Sequence, residues 1–319
     1  MNIICTGSIA FDYLMTFPGF FKEHILPDQL EKISLSFLVD SMERQRGGCA
    51  ANIAYNLALL GVRPYLTATV GEDFGEYRSA LESAGVDTRE VRVIPGKFTA
   101  SFFVNTDKSN AQIASFYTGA MAHAGEISLA AISVRPDLVV ISPNDPNAMV
   151  HYAQECAHLG IPYLYDPSQQ IVRMSGSDLR AGVEDAFALF VNDYEIELLK
   201  KVTGLSMANI LACVKLVVIT RGESGATIYA DGQEIAIPIV PPDCIADPTG
   251  VGDAFRGGFL TGYAAGLGWE LCGRMGALSA TYCLEQCGPQ NHSYTPAEFV
   301  ARFRQHFDDR GALDVLLLK

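Results

Sequence analysis

The run Asp247-Pro248-Thr249-Gly250-Val251-Gly252-Asp253 has residue types and spacing that suit chemistry on an anion. An apolar helix is predicted to follow from Ala254, after a strand that ends near residue 246. Glycines at such a junction let the N–H groups of Gly250, Val251 and Gly252 converge on an anion, and the helix dipole adds positive potential. Asp253 can then accept a proton from a hydroxyl that attacks a phosphoryl group. The simpler alternative is that Asp253 only caps the helix.

A second glycine turn, at Gly47-Gly48, leads into a predicted helix that ends at Gly61. Ile53, Leu57 and Leu60 share one face of that helix, and a glycine suits its C-terminal end. Asn52 falls in the first turn, where its amide can reach a ligand. Taken alone, the segment would favour a plain core helix behind a glycine turn.

The elements around these segments alternate between strands and helices. Short apolar runs predict strands at 139–142, 163–166, 189–192 and 217–220, and helices are predicted at about 147–158, 178–186 and 193–201. This order predicts an α/β fold with a doubly wound, mostly parallel sheet flanked by helices. Three of the strands end on polar residues, at Asp166, Asn192 and Thr220. Ligands bind at the carboxyl ends of such strands, so we expect one common site there.

Two segments interrupt this alternation, at about 13–46 and 98–118. The second contains two β-type runs around the polar turn 106–110, which is typical of a hairpin. We interpret both segments as one small β-sheet lid on a single domain that spans residues 1–319. The alternative is that they form extra edge strands of the main sheet.

The residues 247–255 and 47–61 resemble the two signatures of the ribokinase-like, or phosphofructokinase-B, carbohydrate kinase family. This resemblance implies a ribokinase-like fold and ATP-dependent phosphoryl transfer, with Asp253 as the general base. It also implies that Gly48 and Asn52 bind hydroxyls of the phosphate acceptor. Asp12, at the end of Gly7-Ser8-Ile9-Ala10-Phe11-Asp12, resembles the family's strand-end aspartate that holds two sugar hydroxyls. A carboxylate suits that role because it accepts two charge-assisted hydrogen bonds.

The same resemblance implies sites for two cations, Mg²⁺ and K⁺. The segment Asn192-Asp193-Tyr194-Glu195 resembles the family's Asn-x-x-Glu motif. Asn192 and Glu195 are therefore expected to organise Mg²⁺ through water near the phosphates, which agrees with the tendency of this ion to keep its waters. The family often binds K⁺ close to the position of Asp247.

The nucleotide site is also implied by resemblance. Residues 220–225 match the family's nucleotide loop, so Thr220, Gly222 and Gly225 are expected to contact ATP. Glycines let the backbone approach the phosphates closely. Asn291 lies in the segment that closes the adenine pocket in the family.

Within the family, the sequence looks most similar to archaeal and bacterial nucleoside kinases of the adenosine-kinase-like branch. The stretches 106–113, 165–169 and 256–260 carry this similarity, together with Asp-Pro-Thr at 247–249. It places Asp166 among the acceptor-binding residues and implies that Gln112 contacts the acceptor from the lid. A hairpin hydrogen bond is an equal alternative for Gln112. The acceptor could also be a free sugar such as ribose or fructose, and a non-catalytic nucleoside or sugar sensor remains a third hypothesis.

Composition limits the partners and the compartment. The formal net charge of −13 argues against a nucleic-acid binder, which would carry a basic face. No apolar run is long enough to span a membrane, and the N-terminus does not resemble a signal peptide. The eight cysteines form no Cys-x-x-Cys pair, so we expect reduced thiols in a cytoplasmic protein. Apolar residues of the predicted lid, such as Phe102, Val104 and Phe116, suggest a homodimer through the lid.

Overall fold

Continuous apolar runs form the buried strands of a large sheet. The computed structural model describes residues 1–25, 31 and 34–318. The strands in this part of the chain are β1 (Ile3–Thr6), β2 (Ala10–Thr16), β3 (Ser41–Gly47), β4 (Tyr65–Val70), β5 (Val91–Val93), β6 (Ala100–Thr106), β7 (Gln112–Tyr117), β8 (Leu138–Ile141), β9 (Tyr163–Tyr165), β10 (Ala188–Asn192), β11 (Leu216–Thr220), β12 (Ala226–Ala230) and β13 (Gln233–Ile237). The helices are α1 (Cys49–Leu59), α2 (Gly75–Ala84), α3 (Pro146–Leu159), α4 (Gly176–Glu184), α5 (Asp193–Thr203), α6 (Met207–Cys213), α7 (Val251–Ala264), α8 (Trp269–Leu284) and α9 (Pro296–His306).

The large sheet has the strand order β13-β12-β11-β10-β9-β8-β1-β4-β5 among the described residues. Its strands run parallel except for β12 and β13, which are antiparallel to their neighbours. Successive residues of β1 face opposite sides: Ile3 packs in one hydrophobic cluster with Phe259 of α7, and Ile4 in another with Met149 of α3. The sheet is therefore covered by helices on both faces, and the predicted α/β fold with a doubly wound, mostly parallel sheet is confirmed.

The predicted elements of this sheet agree closely with the observed ones. The bounds of the four predicted strands lie within one residue of those of β8, β9, β10 and β11, and the bounds of α3, α4 and α5 lie within two residues of the predicted helices. One boundary was wrong: α7 begins at Val251 rather than Ala254. Gly250 provides the left-handed residue that starts the helix, so Asp253 lies inside the first turn.

A second, four-stranded sheet has the order β3-β2-β6-β7 in the part of the chain that is described. These strands pair with one another rather than with the edge of the large sheet. The β6–β7 hairpin turns at 107–111, near the predicted turn, whereas β2 begins at Ala10, earlier than the predicted boundary at residue 13. Residues 26–30 and 32–33 of the predicted segment 13–46, and residue 319 of the predicted domain, lie outside the described residues.

Two further expectations concern helices and thiols. Within residues 1–25, 31 and 34–318, the helices are all too short or too polar to cross a membrane. Each of the eight cysteines lies in this part of the chain and is a free thiol, and those at Cys5, Cys156, Cys272 and Cys283 are buried.

Candidate active site

The N-terminus of α7 forms an anion-binding turn. Gly250 precedes the helix with a φ of 80°, and a Cβ atom at this position would lie 2.3 Å from Cβ of Pro289. Only glycine fits this backbone and this space. The N–H groups of a first helical turn have no partner four residues earlier, so they can bind an anion at the positive end of the helix dipole.

Asp253 is the third residue of α7 and does not act as its cap. The N-cap is Gly250, and the Asp253 carboxylate instead accepts a hydrogen bond through Oδ2 from Nδ2 of Asn52 at 2.8 Å. The glycine turn at Gly48, with a φ of 96°, starts α1 and brings Asn52 to this point. The two glycine turns found in the sequence therefore meet across the molecule.

A cavity of about 670 Å³ opens in front of these turns. It gathers most of the side chains that the sequence predicted for an active site. The predicted residues that line it are Asp12, Gly48, Asn52, Asp166, Asn192, Glu195, Thr220, Gly250, Gly252 and Asp253.

A second cavity of about 680 Å³ lies on the other side of the α7 N-terminus. Its wall is mainly apolar, with Ile239, Val240 and Phe255 among its residues, and it contains the predicted Gly222, Gly225 and Val251. Thr220 and Gly252 line both cavities. The two cavities therefore adjoin at the first turn of α7, beside Asp253.

The small sheet supplies one wall of the first cavity. Asp12 of β2 is paired with Phe102 of β6, which is paired in turn with Phe116 of β7. Directly paired residues face the same side of a sheet, and all three line the cavity. Asp12 therefore lies within a strand of the small sheet, and its predicted position at a strand end was wrong. Its carboxylate accepts no hydrogen bond from the described residues and is open to a ligand.

Arg256 is a site residue that sequence reasoning missed. It is buried, its Nη2 donates to Oδ1 of Asp166 at 2.8 Å, and its Nη1 donates to the carbonyl of Gly252 at 2.9 Å. The available signal was its position one helical turn after Asp253, which places both on one face of α7. The carboxylate of Asp166 lines the cavity, but it is already engaged in this ion pair.

The carboxylates of the first cavity have altered proton affinities. Burial raises the pKa of Asp253 to about 6, although the charge of Arg256 and the hydrogen bond from Asn52 act in the opposite direction. Burial, with the negative charges of Asp247 and Asp253, raises the pKa of Asp12 to about 6. Arg256 keeps its charge, because the nearby carboxylates outweigh its burial and raise its pKa. Asp253 therefore has the proton affinity of a general base that works near neutral pH.

Asn192 and Glu195 form a capping box at the start of α5. Oδ1 of Asn192 accepts the N–H of Glu195 at 2.7 Å, and Oε2 of Glu195 accepts the N–H of Asn192 at 2.8 Å. The box fixes a carboxylate at the wall of the first cavity. Among the described residues no group of three or more His, Cys, Asp or Glu could hold a metal. The fixed carboxylate of Glu195 is an oxygen ligand of the kind that suits Mg²⁺ with its waters retained.

Among the described residues, three that were predicted for the site line neither cavity: Gln112, Asn291 and Asp247. Nε2 of Gln112 donates to Oγ1 of Thr106 at 3.3 Å, the hairpin bond that was its alternative role. Nδ2 of Asn291 donates to Oε1 of Gln45 at 2.9 Å. The carboxylate of Asp247 accepts the N–H groups of Thr249 and Gly288, each at 2.9 Å, and so joins two loops.

The fold and the site together are those of a phosphotransferase that acts on an alcohol group: two cavities adjoin at an anion-binding helix end, and the carboxylate of Asp253 lies beside it. The sequence model of the pfkB family of carbohydrate kinases matches residues 8–296. The chain belongs to this family, as predicted, and its phosphoryl donor is ATP.

Similar proteins of known structure or curated name cover nearly the whole chain. The nucleoside kinase of Burkholderia thailandensis, solved in complex with inosine, is 40% identical with a TM-score of 0.82, covering 96% of this chain and 98% of its own. The nucleoside kinase of Methanocaldococcus jannaschii is 29% identical with a TM-score of 0.85, covering 96% and 98%. A nucleoside kinase of Methanothermobacter thermautotrophicus is 30% identical over 95% of each chain.

Proposed function

We propose that this protein is a kinase that transfers the γ-phosphoryl group of ATP to the 5′-hydroxyl of a nucleoside. The observation that carries this proposal is the junction of the two cavities at the first turn of α7, where Asp253 lies. An acceptor in one cavity and a nucleotide in the other would bring a hydroxyl and a phosphoryl group to the same anion-binding turn.

The first cavity has the features of a nucleoside site. Asp12 offers a carboxylate with free lone pairs, which suits the vicinal hydroxyls of a ribose. Phe102 and Phe116 stand beside it on the same face of the small sheet, and aromatic rings suit contact with a planar base. The structural relative from Burkholderia thailandensis at 40% identity was solved with inosine. These features support a nucleoside rather than a free sugar as the acceptor.

Asp253 would remove the proton from the attacking hydroxyl. Its carboxylate is held by Asn52 at 2.8 Å, and the neighbouring N–H groups of Gly250, Val251 and Gly252 would bind the transferring phosphoryl group. Such donors are effective because they are already oriented before charge develops on the phosphoryl oxygens. The positive charge of Arg256, one turn further along α7, favours the ionised form of the base.

The second cavity would hold ATP. Its apolar wall suits the adenine ring, and Gly222 and Gly225 leave room for the phosphates to approach the backbone after β11. Gly225 has a φ of 80°, and a Cβ there would lie 2.1 Å from the carbonyl oxygen of Ile237. Thr220, which lines both cavities, would lie near the phosphates.

Two cations complete the proposal. Asn192 and Glu195 would hold Mg²⁺ through water, and the ion would neutralise charge on the ATP phosphates. Asp247 would lie near a K⁺ site formed largely by backbone carbonyls. Its bonds to Thr249 and Gly288 hold together the two loops that flank Gly250.

A homodimer through the small sheet is also proposed. Of the residues expected at this contact, Val104 is buried within one copy, and Phe102 and Phe116 line the first cavity. Phe103, Ile113 and Tyr117 of the β6–β7 hairpin are exposed instead, and a second copy of this sheet would cover them. Sedimentation at micromolar concentration should give twice the mass of one chain, and a monomeric mass would contradict the dimer. A cytoplasmic location is proposed as well, and the free thiols of the eight cysteines agree with it.

The decisive test of the acceptor is a panel of nucleosides and free sugars with Mg²⁺, K⁺ and ATP, in which ADP formation is measured. We expect turnover with nucleosides and far less with ribose or fructose. Activity on sugars alone would replace the nucleoside kinase with a sugar kinase. Tight nucleoside binding without ADP formation would favour the non-catalytic sensor.

A further inference from the structure

A chain of buried hydrogen bonds leads from the backbone of the small sheet to Asp253. The hydroxyl of Tyr77 donates to the carbonyl of Gly47 at 2.9 Å. Nε2 of Gln290 donates to that hydroxyl at 2.5 Å and to Oδ1 of Asn52 at 2.8 Å. Nδ2 of Asn52 then donates to Oδ2 of Asp253 at 2.8 Å. The three intermediate side chains are almost fully buried: Tyr77 is 1% exposed, Asn52 4% and Gln290 5%.

The carbonyl of Gly47 sets the direction of every hydrogen bond in this series. The carbonyl of Gly47 can only accept, so the Tyr77 hydroxyl must donate to it and has its lone pairs left for Gln290. Burial raises the pKa of Tyr77, so this donor keeps its proton. The Gln290 amide must therefore direct its NH₂ group to both neighbours, which leaves Asn52 with its oxygen toward Gln290. The NH₂ group of Asn52 consequently faces Asp253, and a flip of either amide would set two donors or two acceptors against each other.

We infer that Gln290 is a positioning residue for phosphoryl transfer, which acts through Asn52 to keep an N–H donor directed at the carboxylate of Asp253. The inference rests on the proposed function in taking Asp253 as the base. Gln290 lies 238 residues from Asn52 along the chain and does not line either cavity as the described residues define them. Its effect on the reaction is therefore indirect.

The chemical consequence is a change in the proton affinity of Asp253. A hydrogen-bond donor to a carboxylate stabilises its ionised form. If the amide of Asn52 is no longer held in one orientation, the pKa of Asp253 should therefore rise. The other groups that act on Asp253 are Arg256 on α7, Cys49 on α1, Glu195 on α5, Asp166 after β9, Asp12 on β2, Tyr77 on α2 and Cys283 on α8. Of these, Tyr77 contacts Gln290, and because burial raises its pKa it stays neutral throughout the titration of Asp253.

The test replaces Gln290 by methionine, which has a similar volume and no donor. The titration of Asp253 is followed by carboxylate ¹³C NMR on aspartate-labelled protein, with its signal assigned by Asp253→Asn. We expect the pKa of Asp253 to rise by roughly one unit. The pH dependence of kcat/KM should follow, with a loss of about fivefold at pH 6 that nearly disappears at pH 8. Gln286→Met, at an exposed position of the same loop, should change neither.

A second variant, Gln290→Glu, keeps the shape of the side chain but offers Asn52 an acceptor. It should turn the amide oxygen of Asn52 toward Asp253 and raise the pKa of Asp253 further. An unchanged pKa of Asp253 in either folded variant overturns the inference, even where thermal stability falls. The NMR titration needs no turnover, so a wild-type protein that forms no ADP would contradict the proposed function without deciding the role of Gln290.

Discussion

At the scale of single residues, the site depends on carboxylates placed where burial changes their proton affinity. Asp253 and Asp12 line the same cavity, and the pKa of each is raised to about 6. Arg256 limits this effect at Asp253 by placing a permanent positive charge one turn away on α7. Asp253, the proposed base, is thus expected to be ionised at neutral pH and to take up a proton near pH 6.

This arrangement predicts an acid limb in the rate profile. Since Asp253 must be ionised to accept a proton, kcat/KM should be constant above about pH 7 and should fall below pH 6. The fall should be about tenfold per pH unit for one group, and steeper where Asp12 also takes up a proton. The measurement is kcat/KM for the nucleoside between pH 4.5 and 8, with circular dichroism to show that the fold persists. A flat profile down to pH 5 would contradict the role of these carboxylates.

At the scale of elements, the N-terminus of α7 joins the first cavity, which is proposed for the acceptor, to the second, which is proposed for ATP. Its geometry depends on Gly250, whose positive φ and close approach to Pro289 leave no room for a side chain. The capping box of α5 serves a comparable purpose, because it fixes Glu195 at the wall of the first cavity. Helix starts therefore supply both the anion-binding turn and the residues proposed for Mg²⁺.

Gly250→Ala should disrupt the anion-binding turn. The methyl group meets Pro289 at 2.3 Å, so the first turn of α7 must shift and its N–H groups lose their alignment. We expect kcat to fall by about 10²-fold, the usual effect of losing one oriented donor, while nucleoside affinity changes little. Gly266→Ala is the matched control, because Gly266 also has a positive φ, of 73°, but open space around it. Equal losses in both variants would mean that strain alone, rather than the turn, is responsible.

At the scale of the whole molecule, the sequence predicted what depends on local pattern. Apolar runs marked the buried strands, and the polar residues Asp166, Asn192 and Thr220 at strand ends do lie at one cavity. The family, the doubly wound fold and the reaction class are confirmed. The similarity of this chain to nucleoside kinases supports the prediction that the acceptor is a nucleoside.

The features that sequence reasoning missed depend on contacts between distant parts of the chain. Asn52 and Asp253 are 201 residues apart, and Gln290 meets Asn52 only because the loop after α8 packs on α1. Asn291 was expected at the nucleotide, yet it bonds to Gln45, and Gln112 makes the bond to Thr106 that was the alternative to an acceptor contact. A motif gives residue types and their local spacing, whereas the direction of a side chain is decided by its tertiary partners.

The measurement that tests the account most directly is Asp253→Asn, with ADP formation and nucleoside binding followed on the same protein. We expect kcat to fall by about 10²–10⁴-fold, because an amide cannot accept the proton, while nucleoside affinity and thermal stability stay close to wild type. Asp178→Asn is the matched control, since Asp178 is also the third residue of a helix, α4, and should leave kcat unchanged. Near-normal turnover in Asp253→Asn would contradict the assignment of the base and the site built around it.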